Sequence, residues 1–151
     1  MQMKDLDEFV ALHSDPEFVR FVVPLDRAQS ERRLLANERE WQERGHGMFA
    51  VIARASARFL GRVGLKYWPE FDETEVGWAL RSDSWGRGYA TEAAGATIAW
   101  GLRAFDVPYL TAMIRPANAR SIAVAERLGM APLRSDVFLG GEVIVYALGR
   151  K

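Results

Sequence analysis

The feature that most constrains the fold is a strand pattern that leads through a glycine-bearing turn directly into a helix. The strand pattern covers Thr74–Leu80, the turn has the sequence SWGRG at residues 84–88, and the helical pattern covers residues 89–104. A buried strand is predicted next, over Tyr109–Ile114. Because helices are inserted between the later strands, the pattern predicts a single α/β or α+β domain with a mixed sheet.

The remaining elements are predicted from caps and from apolar spacing. Two pairs, Asp5 with Glu8 and Asp26 with Gln29, have the spacing of a capping box before a helix. Asn118 is typical of a residue that caps a further helix. The other predicted elements are helices over 6–13, 27–44 and 119–128, a hairpin of strands 48–54 and 58–66, and a closing hairpin of strands 133–139 and 142–148.

Composition narrows the class of protein. The chain has 151 residues and no cysteine, which excludes a thiol nucleophile, a zinc–thiolate cluster and a disulfide scaffold. Its 20 basic and 20 acidic side chains balance, which argues against a broadly basic nucleic-acid binder. Neither a signal peptide nor an apolar run of about 18 residues is evident, so we expect one cytoplasmic domain over residues 1–151 with no membrane partner.

The turn before the second long helix has the chemistry of an anion-binding loop. The first turn of a helix leaves N–H groups without partners and carries a partial positive charge. Glycines at 86 and 88 leave room for an anion, Arg87 adds a charge, and Thr91 adds a hydroxyl. The same residues also fit an ordinary strand-to-helix turn. The absence of the Walker A lysine and of a third glycine disfavours a triphosphate or NAD site.

Two segments resemble the GNAT N-acetyltransferases, and in particular the RimJ/RimL-like branch that acts on ribosomal proteins. The segment 85–93, WGRGYATEA, is similar to the loop that binds the pyrophosphate of acetyl-CoA in that family. The segment 118–130, NARSIAVAERLGM, is similar to the second helix beside the cofactor. The resemblance extends from Asp5 over nearly the whole chain.

The resemblance implies a GNAT-like domain with a mixed central sheet flanked by helices. Acetyl-CoA would lie between two splayed parallel strands, here Val76–Leu80 and Tyr109–Ile114. The family's first strand has no counterpart ahead of the first helix, and a sheet edge left uncovered would favour a homodimer. The residues implied in cofactor binding are Ala79, Leu80, Trp85, Gly86, Arg87, Gly88, Tyr89, Ala90, Thr91 and Asn118.

The resemblance also implies the reaction. The acetyl group would pass from acetyl-CoA directly to a primary amine without an acyl-enzyme, which suits a chain that lacks cysteine. The acceptor would be a protein N-terminus or a small amine such as an amino acid, a polyamine or an aminoglycoside. No metal is expected. A non-catalytic acyl-CoA-binding or regulatory module of the same fold is the alternative.

The reaction then needs a general base for the amine, a donor to the oxyanion and a donor to the leaving thiolate, and the sequence offers candidates for the first and the third. Glu75, on the strand that leads into the loop, is the first candidate for the general base, with Asp136 or an ordered water as alternatives. The family's usual tyrosine, which stabilises the leaving thiolate, is replaced by Ala125. The related branch instead offers a serine in this helix, so Ser121 is the candidate donor to the thiolate, although both Ser121 and Asn118 could simply cap the helix.

Overall fold

The computed structural model describes residues 1–151, and its elements follow the predicted order closely. The helices are α1 (Leu6–His13), α2 (Arg27–Arg44), α3 (Tyr89–Ala104) and α4 (Ala119–Arg127). The strands are β1 (Met48–Ile52), β2 (Phe59–Trp68), β3 (Glu73–Leu80), β4 (Tyr109–Ile114), β5 (Ala131–Phe138) and β6 (Gly141–Gly149). Short 3-10 turns occupy Met3–Asp5, Phe18–Arg20 and Ser82–Ser84.

The six strands form one mixed sheet, as predicted. Their order is β1-β2-β3-β4-β6-β5. Strand β3 runs parallel to β4, with Glu75 opposite Thr111, whereas β1 with β2, β4 with β6 and β5 with β6 are antiparallel. Two α-helices and two 3-10 turns precede β1 in the chain.

The chain forms two compact units. The first comprises Met1–Gly64 and Trp78–Tyr89, and the second comprises Leu65–Gly77 and Ala90–Lys151. The first unit contains α1, α2, β1 and the loop that precedes α3. The second contains α4, β4, β5, β6 and nearly all of α3.

The core of the first unit is built where α1 and α2 bring their apolar faces together. The apolar spacing of α1 places Phe9 and Leu12 on one face, and both side chains are buried. They form one cluster with Phe18, Leu34 and Phe59. This cluster fixes the end of α1 and the turn that follows it.

The two predicted capping boxes have different outcomes. The second is confirmed: Gln29 N donates to Asp26 Oδ1 at 2.8 Å, and Asp26 N donates to Gln29 Oε1 at 2.9 Å. The first was wrong. A 3-10 turn precedes α1, and the carboxylate of Asp5 accepts the N–H of Gln2 at the start of that turn, at 2.7 Å. It therefore does not cap α1.

The core of the second unit lies along β4 and β6. Leu110, Ala112 and Ile114 alternate on β4 and are all buried, and Val143 and Val145 are buried on β6. Thr111 on β4 and Tyr146 on β6, which point to the opposite face, are also buried, so both faces of these strands are covered in part. Helix α3 adds the buried Ala94 and Ile98, which extend this core.

Candidate functional site

The loop between β3 and α3 is open at its two glycines. Gly86 and Gly88 have φ angles of 75° and 80°, a left-handed conformation that side chains disfavour. A Cβ atom placed on either glycine would meet nothing within 4 Å. The glycines are thus required by the backbone conformation, and they leave its surface accessible to a ligand.

The residues that lead into the glycines are held firmly. The indole Nε1 of Trp85 donates to Leu80 O at 2.9 Å, and the main-chain N–H of Trp85 donates to Ser82 O at 3.2 Å. The Ser84 hydroxyl donates to Arg81 O at 2.7 Å. Hydrogen bonds therefore fix the chain as far as Trp85, whereas the space beside Gly86 and Gly88 is empty.

The first turn of α3, like that of α1, has no side-chain cap, whereas α2 and α4 each have one. Asp26 accepts an N–H at the start of α2, and Asn118 accepts one at the start of α4. No side chain accepts a hydrogen bond from the first turn of α3. Arg87, just ahead of this turn, is exposed and forms no ion pair within the chain. The arrangement suits an anion, which favours the ligand-binding interpretation over an ordinary turn.

The carboxylate of Glu75 accepts hydrogen bonds from Trp68 and Met113, which both lie in the second unit. The indole Nε1 of Trp68 donates to Glu75 Oε2 at 2.6 Å, and Met113 N on β4 donates to Glu75 Oε1 at 3.3 Å. The Trp68 ring packs edge-on against Phe138 at 4.6 Å between centroids. Glu75 is therefore fixed where β3 and β4 pair.

Asp136 has a different environment. Arg134 Nε donates to Asp136 Oδ2 at 3.1 Å, and Val137 N donates to Asp136 Oδ1 at 2.8 Å. The main-chain bond from Val137, followed by the Arg134 bond, lowers the pKa of Asp136. A carboxylate with a lowered pKa is a weaker base, so this arrangement disfavours Asp136 for proton abstraction.

Asn118 and Ser121 lie together at the start of α4. Ser121 N donates to Asn118 Oδ1 at 3.2 Å, which is the N-cap bond that the sequence allowed. The hydroxyl of the half-buried Ser121 makes no hydrogen bond within the chain. Asn118 thus has a structural role as a cap, while the Ser121 hydroxyl is available to a ligand.

The other predicted residues divide between the two units. Ala79 and Leu80 end β3 in the first unit, together with Trp85 and the loop as far as Tyr89. Ala90 and Thr91, in the first turn of α3, belong to the second unit, as do Glu75, Asn118 and Ser121.

Sequence reasoning missed the partners that hold these residues. Nothing in the spacing of Trp68 indicates a bond to Glu75 across the β2–β3 turn. The pairing of Asp15 with Ser82, at a separation of 67 residues, was also not predicted. The only signal was the Asp15-Pro16 turn, which indicates local structure and not a distant partner.

The chain lacks two further kinds of feature. No three His, Asp or Glu side chains come together in a way that could hold a metal ion. None of the helices has both the length and the apolar character needed to cross a membrane.

Comparison with known proteins identifies the family. Residues 1–131 match the family model described as the acetyltransferase (GNAT) domain. The chain belongs to the GNAT acetyltransferase family. This membership confirms the predicted fold class and makes the chain an acyltransferase that takes acetyl-CoA as its co-substrate.

The chain is also similar to further proteins of known sequence or structure. The chain is 33% identical over 136 residues to YkkB of Bacillus subtilis (strain 168), a match over 85% of this chain and 78% of YkkB. The crystal structure of an acetyltransferase from Agrobacterium tumefaciens is 29% identical, with a TM-score of 0.85 over 99% of this chain and 88% of that one. RimL, a ribosomal L7/L12 α-N-protein acetyltransferase, shares the fold at 16% identity, with a TM-score of 0.82 over 99% of this chain and 90% of RimL.

Proposed function

We propose that this GNAT protein transfers the acetyl group of acetyl-CoA directly to a primary amine. The pyrophosphate of the cofactor lies on the N–H groups of residues 86–90, with Arg87 beside it. The observation that carries this proposal is the first turn of α3, which follows two glycines with open surroundings and whose N–H groups no side chain accepts. An anion bound there accepts hydrogen bonds from the main-chain N–H groups that no side chain accepts.

The binding of the pantetheine arm follows from placing the pyrophosphate at this loop. The main chain of Ala79 and Leu80 binds the pantetheine arm in the manner of a neighbouring strand, because β3 ends at Leu80 just ahead of the loop. Trp85 braces the loop, and the Thr91 hydroxyl offers one further donor to the phosphates. These roles remain proposals for the cofactor contacts of this chain.

The reaction requires a base and a donor to the leaving group. The amine nitrogen attacks the thioester carbonyl carbon, and its proton passes to the Glu75 carboxylate directly or through water. The tetrahedral species then collapses: the carbon–sulfur bond breaks, the amide is released, and the electron pair leaves with sulfur. The free hydroxyl of Ser121 donates a hydrogen bond to this thiolate.

A protein N-terminus is the acceptor that we propose first. The motifs of the chain resemble the RimJ/RimL branch, and RimL, as its name states, acts on the α-amino group of a ribosomal protein. A small amine is the second candidate. The cytoplasmic location and the homodimer expected from the sequence stay predictions, as does the alternative of a non-catalytic acyl-CoA-binding module.

Ligand-induced thermal stabilisation tests the cofactor site. We expect acetyl-CoA to raise the Tm of the wild-type protein and Arg87→Glu to abolish that rise, because a like charge then faces the phosphates. Arg103→Glu makes the same substitution at the exposed far end of α3, and its ligand-induced rise should match that of the wild type. If saturating acetyl-CoA leaves the wild-type Tm unchanged, the cofactor proposal is wrong.

Thiol release from acetyl-CoA separates an enzyme from a binder. The assay uses a panel of peptides with free N-termini, the same peptides with blocked N-termini, and small amines. Release with free but not blocked peptides supports the protein N-terminus, whereas release with small amines alone supports the second candidate. Binding without release for any acceptor supports the non-catalytic module.

A further inference from the structure

Asp15 joins two segments that are far apart in sequence, both within the first unit. Its Oδ2 accepts from the Ser82 hydroxyl at 2.6 Å and from Ser82 N at 3.2 Å. Its Oδ1 accepts from Glu17 N at 3.0 Å and from Phe18 N at 3.5 Å. Both oxygens are therefore occupied, one by the local turn and the other by a residue 67 positions away.

The Asp15 side of this link is firmly anchored. Asp15 N donates to Leu12 O at 3.2 Å, and Val19 N donates to Asp15 O at 3.1 Å. Leu12 and Phe18, on either side of the turn, are both buried in the first unit's core. The carboxylate thus projects from a turn whose two ends are packed.

The Ser82 side leads directly to the proposed acetyl-CoA loop. Ser82 begins the 3-10 turn Ser82–Ser84, and its carbonyl accepts the N–H of Trp85. Gly86 follows immediately. A shift of Ser82 therefore changes where the chain enters the loop. Main-chain donors bind an anion well only when each lies within a few tenths of an ångström of its best hydrogen-bonding position.

We infer that Asp15 is a positioning residue for the acetyl-CoA loop: it holds Ser82 and thereby sets the placement of the loop's N–H donors. The inference rests on the proposed function of that loop. Asp15 touches neither the cofactor nor the reacting atoms in this assignment. The hydrogen bonds from Ser82 also lower the pKa of Asp15, so its carboxylate is charged at neutral pH and holds these donors strongly.

Steady-state kinetics with acetyl-CoA as the varied substrate tests this role. We expect Asp15→Ala to raise the KM for acetyl-CoA about tenfold, and Ser82→Ala about threefold, since the alanine keeps the main-chain bond. The kcat at saturating acetyl-CoA should change less than about twofold, because bound cofactor restores the loop. Ser82→Thr keeps a hydroxyl and should restore the wild-type KM.

A matched control and a double variant complete the test. Asp7→Asn removes an exposed α1 carboxylate that pairs with Arg27, and its KM should equal that of the wild type. The double variant Asp15→Ala with Ser82→Ala should behave like Asp15→Ala alone, because both changes break one link.

The outcomes separate this inference from the proposed function. A wild-type protein that does not bind acetyl-CoA contradicts the proposed function itself. A wild type that binds normally, with Asp15→Ala and Ser82→Ala variants of unchanged KM, contradicts only the role of Asp15. If Asp15→Ala fails to fold, Ser82→Ala and its Ser82→Thr counterpart decide the question, since both keep the turn around Asp15 intact.

Discussion

The carboxylate of Glu75 on β3 accepts a hydrogen bond from the main-chain N–H of Met113 on β4, with 3.3 Å between Oε1 and nitrogen. In a regular parallel pair, a main-chain N–H of this kind would bond to a main-chain carbonyl of the neighbouring strand. Here the N–H of Met113 on β4 instead bonds to the side chain of Glu75 on β3. The bond places an ionisable group between the two strands. In the proposed mechanism this group receives the proton of the acceptor amine.

Glu75→Gln tests the base directly. The amide keeps nearly the same shape and an oxygen for one of the two donors, Met113 N or Trp68 Nε1, while its NH2 group faces the other; it cannot take up a proton at neutral pH. We expect kcat to fall about a hundredfold and the acidic limb of its pH profile to disappear. Glu126→Gln, on the exposed face of α4, should leave both unchanged. An unaltered kcat in Glu75→Gln would assign proton removal to Asp136 or to water.

Ser121→Ala tests the donor to the thiolate. Loss of the free hydroxyl should slow thiol release about tenfold, the usual worth of one charge-assisted hydrogen bond, with little change in acetyl-CoA affinity. Ser135→Ala, on the exposed part of β5, is the matched control. Stopped-flow detection of free thiol in a single turnover gives the rate. Equal rates for the wild type and Ser121→Ala would remove Ser121 from the mechanism.

The close approach of β2 to β1 predicts a steric requirement at Gly64. A Cβ atom there would overlap Gly47 O and come within 2.5 Å of Met48 Cα, both main-chain atoms that cannot swing away. We expect Gly64→Ala to lower the free energy of unfolding by about 3 kcal/mol in urea titration. Gly95→Ala meets only the mobile Leu128 Cδ2 at 3.3 Å, inside a helix, and should change stability by less than about 1 kcal/mol.

The ion pair between Glu73 and Arg134 predicts acid sensitivity. Arg134 Nη1 and Nη2 donate to the two oxygens of the buried Glu73 at 2.8 Å each, and Tyr109 Oη donates to Oε1 at 3.1 Å. The Arg134 bonds lower the pKa of Glu73 below its usual 4.5. The folded protein thus holds this carboxylate charged more strongly than the unfolded chain does. The contribution of this ion pair to the free energy of unfolding is therefore present above pH 4.5, and it is lost as the pH falls through the pKa that Glu73 has in the folded protein.

Glu73→Gln checks this contribution. We expect the variant to lose about 2 kcal/mol of unfolding free energy at neutral pH, and its deficit relative to the wild type to shrink as the pH falls below 4.5. Asp7→Asn removes one partner of the exposed pair with Arg27 and should cost less than about 0.5 kcal/mol. A deficit that stays constant with pH would show that Glu73 acts by packing and not by charge.

His13 predicts a second pH range, higher than that of Glu73, in which the free energy of unfolding depends on pH. It is buried between the rings of Phe9 and Phe18, and this burial, followed by repulsion from Arg62 and Arg33, lowers its pKa from 6.5 to about 4. Between these values the unfolded chain binds a proton that the folded protein does not, so stability falls as the pH drops from 6.5 to 4.

His13→Leu should flatten this part of the stability profile. The expected result is a smaller slope of unfolding free energy against pH between 6.5 and 4, measured by urea titration at fixed ionic strength. The same profile above pH 6.5 should run parallel to that of the wild type. A variant with the wild-type slope in the lower window would mean that His13 titrates alike in both states.

The sequence by itself determined the elements and the family. The spacing of Asp26 and Gln29 predicted the start of α2, and the patterns that follow the 84–88 turn predicted the bounds of α3 and β4, because caps, glycines and apolar period act within a few residues. The motif around Gly86 and Gly88 also pointed to acetyl-CoA through its residues alone.

Only the tertiary structure decided which side chains meet. The bonds of Glu75 to Trp68 and Met113, and of Asp15 to Ser82, join residues from different elements. No local pattern encodes such pairs, since a side chain's partner depends on strand register and packing and not on its neighbours in sequence. The contrast between the capped starts of α2 and α4 and the uncapped start of α3 is likewise a property of the folded chain, because it depends on which acceptor each N–H group meets.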